Sequence, residues 1–259
     1  MISIDHAKCA FDNFVHQFDV DDPKISLKIR HTYNVMDACE YLAKAMNLDK
    51  TDYDLAILIG LLHDIGRFEQ LTRFNSYNDN LLCHAQCGIE VLFDQGHIRD
   101  FIDTDEYDNI IYHAIKNHSA YAIAPGLNEK ELLHARLIRD ADKIDNYRVK
   151  RDDTIEALLD MSSEELGTYE ISDHIFDTFA SHRTILKDDR KTPMDMWVSY
   201  LALLFDFNYA ASFQYILEYD YVNALVDRIH YTNPYTAAKM EKIRNIALTF
   251  CEKHKKPQV

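Results

Sequence analysis

The sequence predicts an all-α protein, and three observations carry that prediction. Six Gly and five Pro in 259 residues are too few for the tight turns that sandwiches, barrels and doubly wound sheets require. Helix-start chemistry recurs along the chain: a capping residue followed three positions later by an acid, or by Pro in the first turn. Between these starts, apolar residues return at the three- and four-residue spacing of a helix with one buried face. With 47% apolar and 27% charged residues, the chain has ample material for a core, and it falls outside the collagen-like, coiled-coil and disordered classes.

Taken in order, Ile29, Val35, Ala38 and Leu42 mark a first amphipathic helix, opened by His31. Thr51 with Asp54 starts a second, whose Leu55, Leu58, Ile59 and Leu62 form a run that could in isolation be a strand. Its capping box and the lack of flanking hairpin turns favour a buried helix. The longest breaker-rich stretch, Thr72 to Asn80, is too short for an interdomain linker. Asn128 with Glu131 starts the helix of Leu133, Leu137, Ala141 and Ile144. Ser162 with Glu165, Thr192-Pro193 with Asp195, and Asn233-Pro234 mark later starts. From Trp197 through Leu204, Ile216, Leu225 and Ile243 the chain reads as packing helices with aromatic anchors, suited to closing a core or to a homodimer surface. No internal repeat interrupts it, so residues 1–259 are expected to form a single all-α domain.

A formal charge of −15 should repel phosphodiester backbones and anionic membranes, so neither nucleic acid nor a membrane is an expected partner. The N-terminus lacks a basic flank followed by an apolar stretch, and no segment reaches the length of a spanning helix; a cytoplasmic location is expected. Cys9, Cys39, Cys83, Cys87 and Cys251 are odd in number and form no CxxC pair, which argues for reduced thiols and against a thiolate zinc site. Cys83 and Cys87 read as small core residues.

Thirteen His is about twice the average supply, and several lie in the most apolar stretches, where an unsatisfied imidazole is costly. The sharpest case is Leu61-Leu62-His63-Asp64-Ile65-Gly66-Arg67. His31 lies upstream, His84 and His118 downstream, and the cluster Arg139-Asp140-Ala141-Asp142-Lys143 follows. His113, five residues before His118, faces another direction on a helix. His134 reads as a surface or outer imidazole, and His6, His16, His97, His174, His182, His230 and His254 as surface or packing residues.

The order His, His-Asp, His, His, Asp on successive helices resembles the HD-domain superfamily of metal-dependent phosphohydrolases over residues 25–148. The tracts Leu81 to Ile98, Ala114 to His118 and Leu137 to Lys143 look like a bacterial branch of it. The resemblance implies an HD-domain-like helical bundle with additional C-terminal helices, 149–259, packed on that core. It also implies a first metal on His31, His63, Asp64 and Asp142, with Asp140 the alternative closing ligand and otherwise a solvated acid beside Arg136. Dinuclear members further imply a bridging Asp64 and a second metal on His84 and His118. The two divalent ions would be iron, manganese, zinc or cobalt.

Such relatives often carry Lys where Arg67 stands; guanidinium offers a bidentate fork for phosphate, and Lys143 is a second candidate for the substrate. The implied activity is hydrolysis of a small phosphate ester, such as a nucleotide, by a metal-bridging hydroxide. The segment Glu69 to Asn80, with Arg73, Tyr77 and Asn78, is expected to recognise the substrate. Two alternatives share the ligand set: a di-iron oxygenase of the HD type acting on a small anion, and a non-enzymatic metal- or nucleotide-binding regulator.

Overall fold

The computed structural model describes residues 2–79 and 81–255, and every regular element among them is helical. The chain divides into two compact units, residues 1–142 and 143–259. The sequence reading expected one all-α domain over residues 1–259, with an HD-like core at 25–148 and a C-terminal helical extension over 149–259. No signal marks the observed position, because it falls inside the unbroken helix Glu129–Asp152.

The N-terminal unit begins with α1 (Ile4–Val15) and α2 (Pro23–Ala45). Asp22 caps α2 by accepting from the Lys24 and Ile25 amides, and Pro23 sets the first turn. His31 therefore lies in the third turn of α2 rather than at its opening, because the Asp-Pro pair starts the helix earlier than apolar spacing alone indicated. In α3 (Lys50–Leu62), the cap is Asp49 rather than Thr51: its carboxylate accepts from the Asp52 amide. Every residue from Leu55 to Leu62 is buried, and α3 packs chiefly against α2.

After three turn residues come α4 (Gly66–Phe74), α5 (His84–Ile89) with a π-helical turn over Glu90–Asp94, the short α6 (Ile98–Phe101) and α7 (Asp108–Asn117). Helix α5 packs on α4 and on α7. Gly66 permits that approach: a Cβ there would lie 2.2 Å from the His84 carbonyl oxygen and 2.3 Å from the Gly88 amide nitrogen. Asn128 and Glu131 form the expected reciprocal box at the start of α8 (Glu129–Asp152), each side chain accepting from the other's amide. The middle of α8 is tied down by Arg139, which donates to the backbone carbonyls of Asn117 and Ala120.

The C-terminal unit holds α9 (Ile155–Leu159), α10 (Ser163–Leu166), α11 (Asp173–Ala180), α12 (Pro193–Leu201), α13 (Ala210–Glu218), α14 (Tyr221–Asp227) and α15 (Pro234–His254). Its core gathers Trp197, Leu201, Leu204, Ile216, Leu225 and Ile243. The Trp197 indole, fully buried, donates to the Leu225 carbonyl at 3.1 Å, which satisfies the one polar group that its burial would otherwise strand. The three starts expected here are present: Ser162 accepts from Glu165, Thr192 and Asp195 form a full capping box, and Asn233 accepts from Tyr235 and Thr236.

Candidate metal centre

Five segments of the N-terminal unit deliver six side chains to one buried place. His31 comes from α2, His63 and Asp64 from the end of α3 and the turn after it, His84 from the first residue of α5, His118 from the end of α7 and Asp142 from α8. Adjacent residues of a regular helix diverge by about 100°; His63 and Asp64 converge because α3 ends at Leu62. The side chains form two groups able to hold a metal ion, His31 with His63 and Asp142, and Asp64 with His84 and His118.

The two carboxylate oxygens of Asp64 divide between the imidazole pairs. Oδ2 lies 3.5 Å from His31 Nε2 and 3.8 Å from His63 Nε2, whereas Oδ1 lies 3.4 Å from His84 Nε2 and 3.7 Å from His118 Nε2. Asp142 Oδ1 sits 3.2 Å from His31 Nε2. Asp140 is fully buried, not a solvated acid, and belongs to neither group.

Tautomers are set by the outer nitrogens. His63 Nδ1 donates to the Gly60 carbonyl at 2.8 Å, His118 Nδ1 to the Ile115 carbonyl at 2.6 Å, and His84 Nδ1 to Asp79 Oδ1 at 2.7 Å. Each Nε2 then carries a lone pair directed inward. The Nε2 atoms of His84 and His118 face each other at 2.9 Å, and those of His31 and His63 at 3.3 Å. The facing lone pairs of His84 and His118 repel, and a cation between them turns repulsion into ligation. Two nitrogens about 2.1 Å from one ion lie roughly 3 Å apart at octahedral or tetrahedral angles. The residues therefore fit a pair of metal ions, with imidazole and carboxylate donors.

The electrostatics agree. Burial pushes the His63 pKa down to about 3, against the pull of Asp64 and Asp142, so the ring is neutral and free to ligate. Burial also lowers His84, opposed by Asp79. Burial would raise Asp64, but its surroundings, the Lys28 ammonium foremost, outweigh it and hold the carboxyl well below the usual range. Asp142 is likewise held low, its burial overcome by the His31 hydrogen bond.

Sequence reasoning missed two residues here. Lys28, one turn before His31 on α2, places Nζ 2.7 Å from Asp64 Oδ2; its position on the His31 face was the available signal. Asp79 accepts from His84 and pairs with Arg67 at 3.0 Å, and as a loop residue it leaves no periodic trace. Arg67 lies beside the centre, with Nε 3.5 Å from Asp64 Oδ1. Its Nη1 is engaged by Gln70, the Tyr77 carbonyl and Asp79, while the buried Nε has no hydrogen-bond partner.

The other expectations divide. Tyr77 presents its ring to Lys28 and to Arg67, with 5.5 Å and 5.9 Å to the centroid. Arg73 instead pairs with Glu69 along α4, and Asn80 lies outside the described residues. Lys143 is in the C-terminal unit, ion-paired with Asp206 at 2.8 Å. His134 is buried and reaches Asp52 at 3.2 Å, so it is not a surface imidazole; the face of α8 that carries it turns toward α3. Cys87 is buried, but Cys83, at the residue before α5, is exposed.

An all-helical chain that converges four imidazoles and two carboxylates on one buried centre defines a helical protein built around a candidate dinuclear metal site. Residues 29–147 match the HD domain, and HD domains are commonly metal-dependent phosphohydrolases. Comparison with curated proteins found no match, and comparison with solved structures found none. Among the described residues no helix is long and apolar enough to cross a membrane.

Proposed function

We propose that this chain is a metal-dependent phosphohydrolase acting on a small phosphate ester, with nucleotides the leading substrate class. The observation that carries this reading is the division of the Asp64 oxygens between two imidazole pairs. Two divalent ions bound there would supply Lewis acidity and bring the pKa of a water from 15.7 to about 7. His31, His63 and Asp142 would hold one ion, His84 and His118 the other, with Asp64 shared.

The chain's own residues do the remaining work. The Gly60 and Ile115 carbonyls and Asp79 lock three rings with their lone pairs inward, so little reorganisation accompanies ion uptake. Burial of the histidines and Asp64 excludes bulk water and strengthens every charge interaction at the centre. Arg67, beside the centre with its Nε making no hydrogen bond, would neutralise a non-bridging phosphate oxygen as charge develops there.

The test is anaerobic purification with metal quantification, then a phosphate-release screen over nucleotides, cyclic nucleotides and sugar phosphates with iron, manganese, zinc and cobalt. About two equivalents of metal are expected, falling toward one in His84→Ala or His118→Ala. Asp64→Ala should abolish phosphate release while helical circular dichroism stays near wild type. Oxygen consumption with a mixed-valent paramagnetic signal, and no phosphate release, would replace the hydrolase with an oxygenase. Tight nucleotide binding without turnover under any metal would replace it with a regulator.

A further inference from the structure

Lys28 holds a position that a divalent ion would contest. Its ammonium lies 2.7 Å from Asp64 Oδ2, the oxygen that also faces His31 and His63. A buried carboxylate requires a compensating cation, and Lys28 supplies it from one side while Arg67 Nε stands 3.5 Å from Oδ1 on the other. An ammonium and a divalent ion on the same Oδ2 repel each other. The lysine, on a flexible four-carbon stem, is the partner able to leave. It would leave toward Tyr77, whose ring it already faces, with Arg67 against the same ring.

We propose that Lys28 is the resident counter-cation of Asp64, displaced when the centre takes its ions, and that it then serves with Arg67 as an anion-binding arm selective for phosphate monoesters. This rests on the metal-dependent reading above. Two divalent ions balance the three acids at the centre, Asp64, Asp142 and Asp79, together with the hydroxide of the proposed reaction, so Lys28 and Arg67 leave an excess of two positive charges. A loaded site with that positive excess favours a doubly charged ligand. A phosphate monoester, with a second pKa of about 6, is such a ligand at neutral pH; a diester carries a single charge and a neutral substrate none. In this way ion uptake both creates the demand for a dianion and frees one of the side chains that meets it.

The experiment compares wild type with Lys28→Met, Lys28→Gln and Lys28→Arg, after circular dichroism has established the fold of each. Mn²⁺ titrations come first; inorganic phosphate and dimethyl phosphate are then titrated into the Mn²⁺-loaded proteins as dianion and monoanion probes. With the competing cation gone, the Met and Gln variants should bind Mn²⁺ about three- to tenfold more tightly, yet bind phosphate about tenfold more weakly. Their preference for phosphate over dimethyl phosphate should shrink, and Lys28→Arg should lie near wild type in both. A merely structural lysine would weaken both bindings together or change neither. Unchanged or weaker Mn²⁺ binding in the Met and Gln variants overturns the proposal, as does an unchanged phosphate preference. A wild type that takes up no Mn²⁺, iron, zinc or cobalt defeats the metal-dependent function itself; one that binds metal and releases phosphate while its variants behave alike defeats only the role of Lys28.

Discussion

The ring of His84 is aimed by a residue 46% exposed on its side chain, Asp79, which also holds Arg67. Partners of this kind fix the tautomer and orientation of a ligating imidazole, and removing one typically weakens metal affinity 10- to 100-fold. Asp79→Ala should therefore loosen the ion on His84 and His118 by about that factor and leave the one on His31, His63 and Asp142 nearly unchanged, as read by metal titration. Equal affinities in variant and wild type would remove Asp79 from any orienting role. At this scale the six central side chains were legible because the superfamily pattern writes them at fixed places in the chain. Lys28, Asp79 and the buried His134 were not, since each owes its role to a neighbour 36, 5 and 82 residues away, respectively, that the order of residues does not announce.

Two helix beginnings decide much of the element-level architecture. Where α4 starts, Gly66 faces backbone atoms of α5 that have no freedom to swing aside. Gly66→Ala should cost at least about 1–3 kcal/mol and lower Tm by roughly 3–10 °C, measured by thermal unfolding; a variant of wild-type stability would mean that α4 and α5 are not pressed together. Where α12 starts, Asp195 accepts from the Ser172 amide and hydroxyl and from the Lys191 and Thr192 amides. Burial opposes ionisation there, but those hydrogen bonds prevail and lower the pKa. A depressed carboxyl stabilises the fold above its unfolded pKa of about 3.9 and loses that contribution as pH falls through the lower folded value. Asp195→Asn should thus be less stable than wild type by about 0.5–2 kcal/mol at pH 7, with the gap closing below pH ~4 in urea titrations. A gap independent of pH would show that charge plays no part. Most helix starts could be read from caps and prolines; the α2 and α3 starts shifted because Asp22 and Asp49 cap earlier than the apolar spacing suggested.

For the whole molecule, all-α architecture followed from the scarcity of Gly and Pro, whereas the division at 142/143 was invisible because a continuous helix runs through it. Ion removal offers the global test of the centre. A ligand present at about 100 times its Kd stabilises the folded state by roughly 2.7 kcal/mol, so chelation of the purified protein should lower Tm by several degrees and readdition of metal should restore it. Thermal curves that coincide with and without chelator would argue that the six side chains hold nothing.

The opposed lone pairs of His84 and His118, 2.9 Å apart, reach beyond turnover. If that place is filled by a cation as proposed, its removal would leave the two rings opposed, and a fold destabilised in this way is exposed more often to proteases. On that proposal the abundance of the protein in a metal-starved cell would fall along with its activity, so that its level would follow the supply of the ion.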